Sequence, residues 1–280
     1  MRKFRVDLNP NTTSMKSLLL TPRLLLSCLA LASGLCSAQE PTPPREVLFQ
    51  GQGASREQVK TVDSINFSGY RWTVKNAARM GPGPNQFEAS RRTVFVSRDG
   101  QLHLKIERTG QGWACSEVIL DHSLGQGRYS FDVSLPHGEL AANVVLGLFT
   151  YSEMDPPPYK EIDVEISRWG DTTDKTNAQF VVQPYTEKNH RMRFTVSTGE
   201  GASTRVSFDW TPSEILFNAQ TPPALAVRGI LWSFRERDIP TPGREQLHLN
   251  LWLYKGEAPL DGKPQEVVLS NFTFIPYSAP

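Results

Sequence analysis

The chemistry available to this sequence is concentrated in Tyr159-Lys160-Glu161-Ile162-Asp163-Val164-Glu165-Ile166. Side chains alternate sides along a β-strand, so Glu161, Asp163 and Glu165 share one face and Ile162, Val164 and Ile166 share the other. The apolar set suits a core, and the acidic set then lines a surface. Three like charges at such spacing push at least one pKa upward. Glycoside hydrolysis uses that imbalance: one carboxylate ionised to attack, one carboxylic acid protonated to donate to the leaving oxygen. Asp163, between the two glutamates, can share a proton with either. The spacing leaves the stereochemistry open. Four residues of strand separate the Cα atoms by about 13 Å. Long side chains on a curved strand can close that to the ~5–5.5 Å of a retaining pair or the ~6.5–9.5 Å of an inverting pair. A solvated acidic edge strand would carry the same pattern.

The rest of the 280-residue sequence narrows the partners. Residues 1–38 hold five bases (Arg2, Lys3, Arg5, Lys16, Arg23) and one acid, Asp7, so the remainder carries a net charge of −3. Without a basic patch, nucleic acid is not the expected partner. No His, Cys and Asp cluster has metal-ligand spacing, so no metal or cofactor is expected. His190, in a polar stretch, reads as a surface residue rather than a ligand.

The elements that must position the acids are strands. Thr93–Ser97 and Gln101–Ile106 flank Asp99-Gly100, which predicts a hairpin. Arg128–Val133 alternates, and Asn143–Tyr151 is a nearly continuous apolar run, as in a buried strand. Ala178–Gln183, Met192–Ser197, Gln246–Tyr254 and Glu266–Ile275 continue the series. No twelve-residue amphipathic helix and no fixed-period repeat is present. The pattern predicts one all-β domain over 61–280, a sandwich or jelly roll. Ahead of it, Lys16 and Arg23, an apolar run from Leu24 to Ala32 and Cys36-Ser37-Ala38 read as a signal peptide over 1–38, cleaved after Ala38. Met15 is an alternative start, and lipid attachment at Cys28 or Cys36 is the rival reading. Residues 39–60, polar and Pro-rich, read as a linker or disordered arm. The apolar run is too short for a membrane span. The expected location is secreted or periplasmic. Past residue 38 a single cysteine remains, Cys115, so no internal disulfide is possible and the fold must rest on its core.

Glu161-Ile162-Asp163-Val164-Glu165 resembles the motif of glycoside hydrolase family 16, the lichenase- and laminarinase-like β-glycanases. The resemblance runs over about residues 61–276. Gly83-Pro84-Asn85-Gln86-Phe87, Trp113-Ala114-Cys115-Ser116-Glu117, Leu148-Phe149-Thr150-Tyr151, Phe208-Asp209-Trp210-Thr211-Pro212 and Leu249-Asn250-Leu251-Trp252 are similar to family blocks in the same order. It implies a β-jelly roll of two curved antiparallel sheets with a concave glycan-binding cleft. It also implies a retaining double displacement, with Glu161 as nucleophile, Glu165 as general acid/base and Asp163 assisting. Tyr159, Phe149, Glu117, Gln179, Asn250 and Trp252 match positions facing the cleft. Trp210 is assigned to the core, and Trp169 to neither core nor cleft. A structural calcium is known in parts of the family. Departures are Ile119, where lichenase-like members carry arginine, Val181 and Gln183 after Gln179, and Ile215–Ala219 in place of a Tyr-Val-Asp-Gly ending. They bear on substrate more than on fold. The expected activity is endo-hydrolysis of a β-linked polysaccharide by a monomer. A transglycosylase on the same scaffold and a lectin-like binding module are the alternatives.

Overall fold

The computed structural model describes residues 61–197, 203–220 and 229–279. The leader and the arm expected over 1–60 lie outside the described residues.

Seventeen strands follow one another: β1 (Ser64–Phe67), β2 (Tyr70–Val74), β3 (Ala77–Met80), β4 (Asn85–Phe87), β5 (Val94–Val96), β6 (Leu102–Thr109), β7 (Gly112–Leu120), β8 (Gly127–Ser134), β9 (Val144–Tyr151), β10 (Ile162–Ile166), β11 (Ala178–Val182), β12 (Arg191–Phe194), β13 (Ser203–Trp210), β14 (Ile215–Gln220), β15 (Ile230–Phe234), β16 (Gln246–Leu253) and β17 (Gln265–Pro276). They pair into two antiparallel layers. One runs β1-β2-β7-β16-β9-β10-β11-β12. The other runs β5-β6-β17-β8-β13-β14-β15. The first half of β7 leaves the first layer to pair with β6, through Glu107↔Ala114 and Thr109↔Gly112, so one strand belongs to both. Short β4 adds a parallel contact to it. Among the described residues no helix is long and apolar enough to cross a membrane.

Alternation explains which side each strand buries. In β13, Val206, Phe208 and Trp210 are buried, while Arg205 and Asp209 point outward. Those two outward residues form bidentate pairs across to β8, Arg205 with Asp132 and Arg128 with Asp209. A one-residue slip would break both pairs and expose the core face. Exposed pairs add about 0–1 kcal/mol each, so they select register more than they stabilise. The layers meet through aromatic rings: Phe180 of β11 lies 4.8 Å from Phe217 of β14, and Trp72 of β2 lies 5.7 Å from Phe272 of β17. Trp210 is buried, its indole donating to the Pro240 carbonyl at 2.9 Å. The Asp-Gly hairpin joins β5 to β6, with Gly100 at φ +84°, a backbone state that suits glycine.

One expectation needs correction. His190 is buried, not on the surface: its Nδ1 meets the Val182 carbonyl at 2.9 Å and its Nε2 lies 3.2 Å from Asp238. The polar stretch around it is a turn that tucks the ring beside Phe234, 4.9 Å away. Strand β15 was not anticipated from sequence; its inward positions Ile230, Trp232 and Phe234 pair it with β14.

Candidate active site

Strand β10 carries the acids. Ile162, Val164 and Ile166 enter the core, which forces Asp163 and Glu165 to the opposite face. Glu161 precedes the strand, but its carbonyl accepts from the Gln183 amide at 3.2 Å and so continues the ladder with β11. The approach to it is tightly held. Tyr159 and Lys160 both take left-handed backbone conformations, φ 62° and 59°. The Lys160 carbonyl accepts from the Thr150 hydroxyl at 2.7 Å, and that hydroxyl in turn accepts from the Ile162 amide at 3.2 Å. Two consecutive non-glycine residues in this region cost on the order of 1–2 kcal/mol each, a strain that the surrounding bonds must hold in place.

Cross-strand register then decides the neighbours. One row across the layer reads Thr73, Ile119, His248, Phe149, Asp163, Val181, Arg191. The next reads Glu117, Asn250, Gly147, Glu165, Gln179, Arg193. Glu161, Asp163 and Glu165 together line a cleft of about 370 Å³ whose walls include Glu117, Phe149, Asn250 and Trp252. A second hollow of about 480 Å³ adjoins it at Glu165 and takes in Trp169, Gln179 and Arg193. The acids thus sit where two hollows join.

Each acid has a defined environment. The Gln179 amide donates to Glu165 Oε2 at 2.6 Å, and Arg193 Nη1 approaches the Gln179 oxygen at 3.5 Å, which fixes the amide's orientation. The Gln183 amide donates to Asp163 Oδ2 at 3.1 Å, its own oxygen taken by the Tyr185 amide. Burial is the main cause that raises all three carboxyls. Glu161 is pushed up to about 7 by burial and then by the charge of Glu165, while a hydrogen bond from Asp163 works the other way. Asp163 is raised well above the carboxylate range by burial and by both glutamates. Glu165 is pushed up to about 7 by burial, against the pull of the Gln179 hydrogen bond and of Arg193 and Arg191. Burial and mutual repulsion therefore oppose full ionisation of all three carboxyls on this face.

The structure also places the other expected site residues. Glu117 is buried, bonded by Lys75 at 2.9 Å and by His248 at 2.8 Å. Burial opposes its ionisation, but the hydrogen bonds and charges of His248 and Lys75 keep its carboxyl below the usual range. Asn250 is buried beside it, its Oδ1 without a partner. Trp252 packs edge-on against Trp169, 5.9 Å away, and Trp169 against Tyr254. Tyr159 does not line the cleft directly; its ring lies 5.2 Å from Tyr151, which does. Sequence reasoning missed Tyr151, Lys75 and His248. The signal for His248 was present: it alternates with Asn250 and Trp252 on β16. Lys75 had none, because it reaches Glu117 only through the β2–β7 pairing. Among the described residues no group of three or more His, Cys, Asp or Glu side chains is placed to hold a metal ion.

These two antiparallel layers form a jelly roll, the fold that the chain shares with solved glucanases of glycoside hydrolase family 16. No protein-family model matches the sequence, and no curated protein matches it. A lichenase (β-1,3-1,4-glucanase) from a mouse hindgut metagenome is 19% identical, with 78% of this chain and 98% of that one covered at a TM-score of 0.57. A laminarinase from a Flavobacterium species is 14% identical, with 77% and 99% covered at 0.57. An antigen of Mycobacterium tuberculosis described as a pseudo β-1,3-glucanase is 18% identical, with 76% and 93% covered at 0.53. At these identities the likeness is one of fold.

Proposed function

We propose that this protein is a secreted endo-acting hydrolase of a β-glucan-type polysaccharide that works by a retaining double displacement. The observation that carries the reading is the row of Glu161, Asp163 and Glu165 lining one cleft, all three raised chiefly by burial. Glu161, whose carboxylate form the Asp163 hydrogen bond favours, attacks the anomeric carbon. Glu165, protonated, gives its proton to the departing glycosidic oxygen. A glycosyl ester forms on Glu161. Glu165 then takes a proton from water, which attacks the same carbon and frees Glu161. Phe149, Tyr151 and Trp252 supply faces for sugar rings. The leader read over 1–38 supports export.

Hydrolysis of lichenan, laminarin, xyloglucan, agarose and carrageenan is the test, with wild type and Glu161→Gln side by side. The expected result is turnover of at least one β-glucan with retained anomeric configuration, lost by about a thousandfold or more in the variant. Inactivity on all five, or an unaffected variant, overturns the reading. A binding-only protein is the second reading, favoured by the similarity to a pseudo-glucanase. Glycan binding that survives substitution of all three acids, without turnover in the wild type, would select it.

A further inference from the structure

We propose that His248 is a specificity-determining residue of the cleft, whose Nε2 hydrogen-bonds a hydroxyl of the sugar bound beside the one undergoing cleavage. The inference rests on the glycanase reading above.

Three observations carry it. His248 Nδ1 lies 2.8 Å from Glu117 Oε1, and Glu117 is buried with its other oxygen on Lys75 Nζ at 2.9 Å. An ionised carboxylate only accepts, so the geometry assigns a ring proton to Nδ1 and leaves Nε2 as the nitrogen open to a ligand hydroxyl. The ring lines the cleft, and among the described residues Nε2 has no protein partner. The ring cannot swing: it stacks on Phe149 at 5.0 Å and meets Tyr151 edge-on at 5.8 Å. In its row the flanking residues are Ile119 and Phe149, so His248 is the polar group between Thr73 and Asp163. Two strand spacings, roughly 10 Å, separate it from Asp163. That is too far to touch the reacting atoms and close enough to touch the neighbouring sugar. Its contact belongs equally to bound substrate and transition state, so it governs KM rather than kcat.

His248→Phe keeps a ring on Phe149 and removes both nitrogens. His248→Gln keeps a donor for Glu117 and a polar atom for the sugar, and it guards against a variant that fails to fold; thermal melts report on both. Kinetics on lichenan and laminarin are measured alongside calorimetric binding of their oligosaccharides to the Glu161→Gln background. Loss of one such hydrogen bond predicts KM and Kd raised roughly tenfold in His248→Phe, kcat within about twofold, and His248→Gln intermediate. Unchanged KM and Kd in a folded His248→Phe, or a loss confined to kcat, overturns the inference and leaves the glycanase reading standing. Binding without hydrolysis in the wild type overturns that reading alone, with His248 still judged by Kd. Absence of binding to either glycan overturns both.

Discussion

At the scale of residues, the acids of β10 exchange stability for chemistry. Glu161 and Glu165 bind their protons more tightly in the folded chain than in the unfolded one, each raised to about 7 chiefly by burial. The stability such groups contribute is complete below the ordinary carboxylate range and is lost as pH rises through about 7. Glu161→Gln, already expected to stop turnover, should therefore be more stable than wild type at about pH 8, by about 1–3 kcal/mol, and not at about pH 4. Denaturant titrations at the two pH values check this. Equal gains at both would place the effect in packing instead. Three alternating acids were legible from the sequence because strand periodicity is local. Their partners were not. Gln179 of β11 and Gln183 just past its end reach Glu165 and Asp163, across a turn, and the orientation of each amide depends on a further neighbour. His190 shows the converse: a polar sequence context hid a ring that tertiary packing buries.

At the scale of elements, β9 and β16 explain how a cleft floor stays open. Both are buried on two faces, one in the core and one under the site, which is why Asn143–Tyr151 reads as an unbroken apolar run. Gly147 interrupts that run opposite both Glu165 and Asn250. A Cβ there would come 2.5 Å from Asn250 Oδ1 and 3.3 Å from the Phe149 ring. Asn250 is buried and Phe149 is stacked on His248, so neither yields easily. Gly147→Ala should cost about 1–3 kcal/mol in stability by overpacking. It should also lower kcat/KM more than tenfold, roughly, by displacing the floor beside Glu165. Melting temperature and kinetics measured together decide the matter, and a variant unchanged in both would show that the floor has slack. The strands of this layer were mostly legible. Their order was not, because β16 enters between β7 and β9 from more than ninety residues away in sequence, and no local pattern encodes that.

At the scale of the whole molecule, stability comes from one aromatic-rich interior without covalent staples among the described residues. Cys115 lies within it, and burial pushes its thiol up to about 12. A thiol reagent should thus reach Cys115 only when the layers separate, at the rate of global unfolding. Labelling faster than unfolding monitored by tryptophan fluorescence would contradict this. The single strand shared by both layers has a further consequence. The second half of β7 carries Glu117 into the cleft, while its first half is bonded to Glu107–Thr109 of β6. A polysaccharide that stiffens the cleft end of β7 should slow amide deuteration at the other end, in Glu107–Thr109, which no sugar touches. Deuterium uptake there, with and without a bound oligosaccharide, would then report occupancy of the cleft from the far end of the same strand.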